Sequence, residues 1–253
     1  MSKSKARLSL VPATPGTADG GRGRGNLFEL AYQRIESLLI ACDVRPGQLL
    51  TIQDLQGLTG LGRTPVQQAV NRLAAETLII IRPRHGLQVA PIDLARERLL
   101  LKLRRDLERF VIGLAIERAG PAQRHQMLHM ERVLKARRAT LTLARFNELD
   151  RAIDALILAA AAEPFLDDTL RPLHTMYRRI GFIYHTHISG PASLLETIDR
   201  HIAILNAVAN KHTRLAVEAT DQLIGFVDRM FVSMETSINP SLLDCSLASI
   251  VAE

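Results

Sequence analysis

Apolar residues along most of this chain recur at the three- and four-residue spacing of a helix that buries one face. In LFELAYQRIESLLIAC, Leu27, Leu30, Ala31, Ile35, Leu38 and Leu39 share a stripe, and Asn26 stands ahead of them as N-cap. RPGQLL supplies a Pro-Gly turn and a short extended piece. TIQDLQGLTG then opens on Thr51, three residues before Asp54, and predicts a short second helix. GLGRTPVQQAVNRLAAETL predicts a third, with Thr64 as N-cap, Pro65 at the first helical position and Val66, Ala69, Val70 and Leu73 inward. There the period changes. LIIIRP, a tight RHG and LQVAP read as two short strands around a glycine, so a hairpin follows the third helix.

After Pro91 the strand pattern stops. Six helical blocks are predicted at 94–119, 121–139, 141–162, 164–187, 191–210 and 212–238, separated by Gly120-Pro121, Pro164 and Gly190-Pro191. The expected fold class is mainly α: three helices and a hairpin over 26–92, then an all-helical domain of six helices over 93–238. Residues 1–25 are expected to form a disordered basic tail and 239–253 a loose C-terminal tail.

Composition adds a compartment and a location for the charge. With 47% hydrophobic residues among 253, the chain can bury a core without a metal or disulfide staple. Cys42 and Cys245 lie far apart with no C-x-x-C spacing, which argues against a zinc ribbon or disulfide framework and for a reducing cytosol. The start, MSKSKARLSLVPATPG, has no apolar run, and no stretch of about 18 apolar residues occurs, so secretion and membrane spanning are not expected. Of the net charge of +6, residues 1–25 hold +4, from Lys3, Lys5, Arg7, Arg22 and Arg24 against Asp19. A basic arm of this sort either touches phosphates or merely solubilises.

Two helices joined by a short turn, the second opening on Arg-Thr-Pro with a β wing behind it, meet the requirements of a winged helix-turn-helix. The second helix fits a major groove about 12 Å wide and its N-terminal residues reach base edges. PGQLLTIQDLQGLTGLGRTPVQQAVNRLAAETLIIIRPRHGLQVAP resembles the DNA-binding domain of the GntR family of bacterial regulators, over residues 27–92. The helical remainder, opening with LRRDLERFVIGLAIERA, resembles that family's FCD effector domain, and six helices rather than seven suit its VanR-like branch. By this resemblance Arg63 matches an arginine that hydrogen-bonds guanine, Thr64 a phosphate-contacting hydroxyl, and His85 and Gly86 a wing tip that reaches the minor groove. Two positions depart from the family pattern: Gln67 stands where arginine is usual, and Gln53 where another basic residue is common. Fewer charges imply a shallower salt dependence and a different operator; Arg82 and Arg84 are the wing residues placed to compensate.

The same resemblance implies a metal site in the helical domain, built from one aspartate and three histidines. LDRAID aligns Asp150 with the aspartate and Asp154 with the first histidine, DRHIAILNAV aligns His201 with the second, and ATDQLIGFVDRM puts Leu223 where the third is expected. Asp150 and Asp154, four residues apart, share one helix face. Two readings of them stand at this point: a divalent metal ion held by Asp150, Asp154 and His201, or pairing with arginines such as Arg104 or Arg178 in a polar cavity. On either reading the cavity is the effector site. Arg104, matching the family's R-x-x-L-E arginine, is expected to clamp an effector carboxylate, unless it pairs with Glu108 one turn away. Asp154, His174, Tyr177, Arg178 and His201 are expected to line the site together with Tyr184, with His185 and His187 at its solvated end.

The function expected is a ligand-responsive transcriptional repressor. It would work as a cytoplasmic, nucleoid-associated homodimer on a palindromic operator, answering to a small organic acid. The alternative is a metal-dependent hydrolase with an accessory DNA-binding domain. The sequence carries no nucleophile motif, oxyanion glycine turn or phosphate loop, which argues against an enzyme.

Overall fold

The computed structural model describes residues 20–247; the basic stretch 1–19 and the last residues, 248–253, lie outside the described residues. The first helix, α1, spans Gly20–Ile40 and so begins ahead of Asn26, inside the stretch expected to be tail. Its packed stripe, with Ala31, Ile35 and Leu39 fully buried, supplies the nucleus from which further residues join at the cost of propagation alone.

Helix α2, Ile52–Thr59, starts at the expected cap: Thr51 Oγ1 accepts from the Asp54 amide at 3.1 Å while Asp54 accepts from the Thr51 amide at 2.7 Å. Helix α3, Arg63–Ala75, begins two residues before the predicted start, with Gly62 as N-cap and no side-chain cap. Thr64 therefore lies inside the first turn rather than capping it. Pro65 is tolerated there because the first-turn amides have no helical partner in any case. The inward residues are those expected: Val66, Ala69, Val70 and Leu73 are buried against α1.

The hairpin is β2, Ile79–Arg82, and β3, Gly86–Val89, and the extended piece after the Pro-Gly turn joins it as β1, Leu49–Leu50. The antiparallel order is β1-β3-β2, with Leu50 opposite Leu87 and Ile80 opposite Gln88. Gly86 has φ +87°, and a Cβ there would lie 2.7 Å from the Leu50 carbonyl oxygen, so only glycine lets β1 pass this close.

Six helices follow: α4 (Leu94–Arg118), α5 (Pro121–Arg137), α6 (Leu143–Ala161), α7 (Pro164–Tyr184), α8 (Pro191–Ala209) and α9 (Thr213–Ser237). Prolines open α5, α7 and α8, where a missing amide costs nothing. Helix α7 touches α1, α4, α6 and α9, and its residues 173–180 are buried on every face. Its last expected turn is instead a π turn, His185–Ser189.

The segment after α9 is not loose through residue 247. Two 3-10 turns, Pro240–Leu242 and Cys245–Leu247, run back to the winged domain. There the Leu243 carbonyl accepts from the Ile92 amide at 2.9 Å, and the Cys245 amide donates to the Pro46 carbonyl at 2.8 Å. Sequence patterning missed this because both bonds are made by backbone. Among the described residues no helix is long and apolar enough to cross a membrane, and both cysteines are free.

Candidate DNA-reading face and bundle cavity

The winged domain presents one groove between α2, α3 and the hairpin. Gln53, Arg63, Gln67, Arg82, Arg84 and Gly86 all line it, and Gln56, which the sequence reading passed over, joins them. Every charged side chain in that lining is an arginine, which suits a polyanion. Thr64 and His85 are exposed but lie outside the lining. Two groups are held in place. Arg82 donates from Nε and Nη2 to Gln88 Oε1 at 3.0 and 2.7 Å, and Gln67 Nε2 donates to Asn71 Oδ1 at 3.1 Å.

Inside the bundle, acids and bases alternate in a single chain of contacts. Arg104 Nε donates to Glu108 Oε1 at 3.0 Å, and the same oxygen meets His174 Nε2 at 2.7 Å. His174 Nδ1 lies 3.1 Å from Asp154, whose carboxylate also accepts from Arg178 Nη2. Arg178 Nε donates to Asp150 Oδ2 at 2.7 Å, and Asp150 Oδ1 faces His201 Nε2 at 2.7 Å. The helical period explains the assembly: Arg104 and Glu108 on α4, Asp150 and Asp154 on α6, and His174 and Arg178 on α7 are each a four-residue pair on one face. All seven line one cavity except Glu108, which sits behind His174 and Arg104. The room open to water centres is about 50 Å³, enough for a few waters.

Protonation follows from the partners. His201 Nδ1 faces the Thr197 carbonyl at 2.8 Å, which only accepts, and Nε2 faces a carboxylate. Both nitrogens must then carry protons, and although burial lowers the pKa of His201, the Asp150 charge raises it above the ordinary value. Burial opposes ionisation of Asp150 too, but Arg178 and His201 hold its carboxyl well below the usual carboxylate range. Glu108, equally buried, is brought down to about 2 by His174 and Arg104. Asp154 goes the other way: burial and the neighbouring Asp150 charge raise it, despite His174 and Arg178.

The comparisons with known proteins fit this architecture. The FCD domain family matches residues 99–226, and the family described as bacterial regulatory proteins, gntR family, matches 27–89. This chain is a GntR-family regulator of the FCD class. It is 27% identical over 183 residues to the HTH-type transcriptional repressor RspR of Escherichia coli K12, spanning 71% of this chain and 78% of that relative. E. coli McbR/YncC superposes with a TM-score of 0.72 at 18% identity, over 83% of this chain and 99% of that one. A GntR-type regulator from Rhodococcus sp. RHA1 superposes at 0.59 and 16%, over 82% and 98%. The families and relatives are transcriptional regulators rather than enzymes, so the hydrolase alternative falls.

In this FCD regulator the residues expected at the effector site come together in part. Arg104, Asp154, His174, Tyr177, Arg178 and His201 line the cavity, and Leu223 does as well. Tyr184 does not; it packs edge-on to Phe226 instead. His185, expected at the solvated end, is buried in the lining, with Nδ1 2.6 Å from Ser193 Oγ and its pKa lowered to about 4 by burial. The period decides between them: eleven residues from His174 return to the same face, and ten do not. His187 is exposed.

A metal ion does not fit the donor set as it stands. The Arg178 guanidinium points its N–H groups at both candidate carboxylates, Leu223 has nothing to donate, and Asp150 is already shared with His201. Among the described residues no group of three His, Cys, Asp or Glu side chains is arranged to hold a metal. In this structure Asp150 and Asp154 are ion-paired to Arg178, and Asp150 also to His201, the second of the two arrangements expected for them.

The cavity wall on the α1 side is thin. A cleft of about 240 Å³ between α1, α6 and α7 is lined by Tyr32, Glu36 and Arg151, and also by Asp154, His174 and Arg178, the groups that line the cavity from within. Glu36 of α1, 2% exposed, pairs with Arg151 at 2.8 Å and accepts from the Thr175 hydroxyl. Arg179 donates to the Ala90 carbonyl at 2.6 Å, at the end of the wing.

Proposed function

We propose that this regulator is a homodimeric repressor that binds a palindromic operator and changes affinity when a small carboxylate-bearing metabolite enters the bundle cavity. The observation that carries the reading is the two-sidedness of α7. His174 and Arg178 face the cavity, while Thr175 and Arg179 grip the DNA-reading half at Glu36 and Ala90. The cavity is too small for a metabolite as it stands, so a ligand must displace a side chain to enter.

An incoming carboxylate has a defined exchange available. Among the cavity acids Asp154 is the one whose pKa is raised, so on taking up the proton of the entering acid, or one from solvent, it can release Arg178 while the ligand carboxylate takes over the guanidinium. Arg104, stacked 4.9 Å over the Tyr177 ring, offers a second guanidinium in the same lining. Arg63, Thr64, Gln53, Gln67, Arg82, Arg84, His85 and Gly86 form the proposed DNA contact, and two-fold symmetry doubles the bases one recognition helix can read. Repression as the mode of action follows the relative RspR. The site of action is the cytoplasmic nucleoid.

Mapping the genomic sites bound by the protein, then titrating organic acids against a bound site, tests the reading. Coupling on the usual scale of about 1–3 kcal/mol would change operator affinity by roughly 5- to 150-fold. Specific DNA binding unaffected by any small acid would remove the effector half of the proposal; absence of any preferred site would remove the whole.

A further inference from the structure

We propose that Arg178 is a built-in replacement for the divalent ion that the family resemblance implies, so that the bundle is complete without metal and its central cation belongs to the chain. Asp150, Asp154 and His201 occupy three places at which ligands are expected, and the guanidinium that joins the two carboxylates lies where a shared cation would. The fourth place is Leu223, whose side chain faces the cavity and holds no donor. The substitutions are chemically consistent with one another. Replacing imidazole by carboxylate at 154 supplies a second carboxylate to accept from the guanidinium, where a shell of one aspartate and three histidines has only one.

Burial makes the replacement exclusive. Arg178 is 7% exposed and its only side-chain hydrogen bonds among the described residues are to Asp150 and Asp154. For a metal to bind both carboxylates the guanidinium would have to leave them, stranding one buried cation beside another. Coordination and ion pairing therefore compete for the same oxygens.

The consequence is mechanical. A bound ion is a separate body, whereas Arg178 is part of α7, three residues from Thr175 and next to Arg179, two of the residues through which α7 contacts the DNA-reading half. A force on the central cation is then a force on the helix that holds the winged domain.

The test uses the full chain and metal salts alone. Wild type, Arg178→Met and Arg178→Lys are each dialysed against chelator, then given Zn(II), Mn(II) or Ni(II), with bound metal measured by elemental analysis and Tm by calorimetry. Wild type and Arg178→Lys should bind no stoichiometric metal at the site and show no metal-dependent rise in Tm, while Arg178→Met should lose stability and regain part of it with metal. An equivalent of metal retained by wild type through chelation, or a wild-type Tm raised as much as that of Arg178→Met, overturns the proposal. If Arg178→Met does not fold even with metal, the wild-type titration decides alone: metal uptake sinks the idea and indifference upholds it. Asp150→Asn in a wild-type background assigns any uptake to this site rather than to surface histidines. Neither outcome depends on operator binding, so the proposed function stands or falls separately.

Discussion

Glu36 of the first helix and Arg151 of α6 meet at 2.8 Å across the junction between the DNA-reading half and the bundle, with Glu36 buried and Arg151 about one-third exposed. The Thr175 hydroxyl adds a second bond to the same carboxylate. A buried acid here costs desolvation, and both partners come from the bundle, so the pair is one of several polar contacts that hold the two halves together.

Glu36→Gln should therefore weaken the junction without touching either site. The expected loss is about 1.5–3 kcal/mol, the range for hydrogen bonds to charged groups. Operator affinity without ligand should be retained while the ligand-dependent change shrinks. Paired measurements of Tm and of operator binding with and without effector check this, and a full ligand response in the variant would exclude Glu36 from the coupling.

Arg104→Ala should abolish the response to the effector and leave DNA binding intact, because the guanidinium sits in the cavity and far from the groove lined by Arg63. Glu108 would then keep His174 as its remaining partner, so folding should survive. Calorimetric titration of the effector into both proteins provides the measurement; equal affinities would remove Arg104 from the site.

At the recognition helix, the Asn71 bond leaves Gln67 with one free N–H and a free carbonyl oxygen. That pair matches the N7 and N6 groups of adenine, so Gln67→Arg should move one position of each half-site from adenine to guanine, worth about 1–3 kcal/mol of discrimination. Selection from randomised DNA reads this out directly. Arg63→Ala, by contrast, should relax the guanine position. An unchanged consensus for Gln67→Arg would take that side chain off the bases.

The helices were legible because burial imposes its period on the sequence: Val66, Ala69, Val70 and Leu73 and the proline starts are all where patterning puts them. Ends were less legible. Thr64 resembles a cap, yet Gly62 takes that role, since a glycine cap has no side chain to advertise it. In the bundle the cavity residues were largely identifiable one by one, but their pairing was not. Which carboxylate meets which base depends on how α4, α6, α7 and α8 converge, and the sequence holds only the four-residue spacing within each helix. Glu108 appeared as a local partner of Arg104, and its bond to His174 required the fold.

The C-terminal return predicts a strap. Gly47 has φ +79°, and a Cβ there would overlap the Asp244 carboxylate. Gly47→Ala should lift the segment by sterics and by backbone strain together, and truncation after Ile238 should remove it outright. Both should expose the linker at Ile92 to proteolysis and lower Tm. Equal cleavage rates in wild type and truncation would mean that the strap does not hold the winged domain.

Glu97 offers a test by pH. It lies in the first turn of α4, 4% exposed, with Oε2 lacking a hydrogen-bond partner among the described residues. Burial pushes its pKa from 4.5 up to about 7, against the pull of Arg179 and Arg96. Between those two values the folded chain holds a proton that the unfolded chain has lost, so stability falls as pH rises through this window. It is highest below the unfolded value and flat again above the folded one. The shift corresponds to a cost on the order of 3 kcal/mol above the window. His201, whose pKa is raised, also makes stability depend on pH, so the informative quantity is the difference between wild type and Glu97→Gln. The variant should match wild type near pH 4.5 and exceed its stability above pH 7, by an amount that grows across the window. A constant difference between the two unfolding curves would show that Glu97 does not change protonation on folding, and that its unpartnered oxygen is solvated after all.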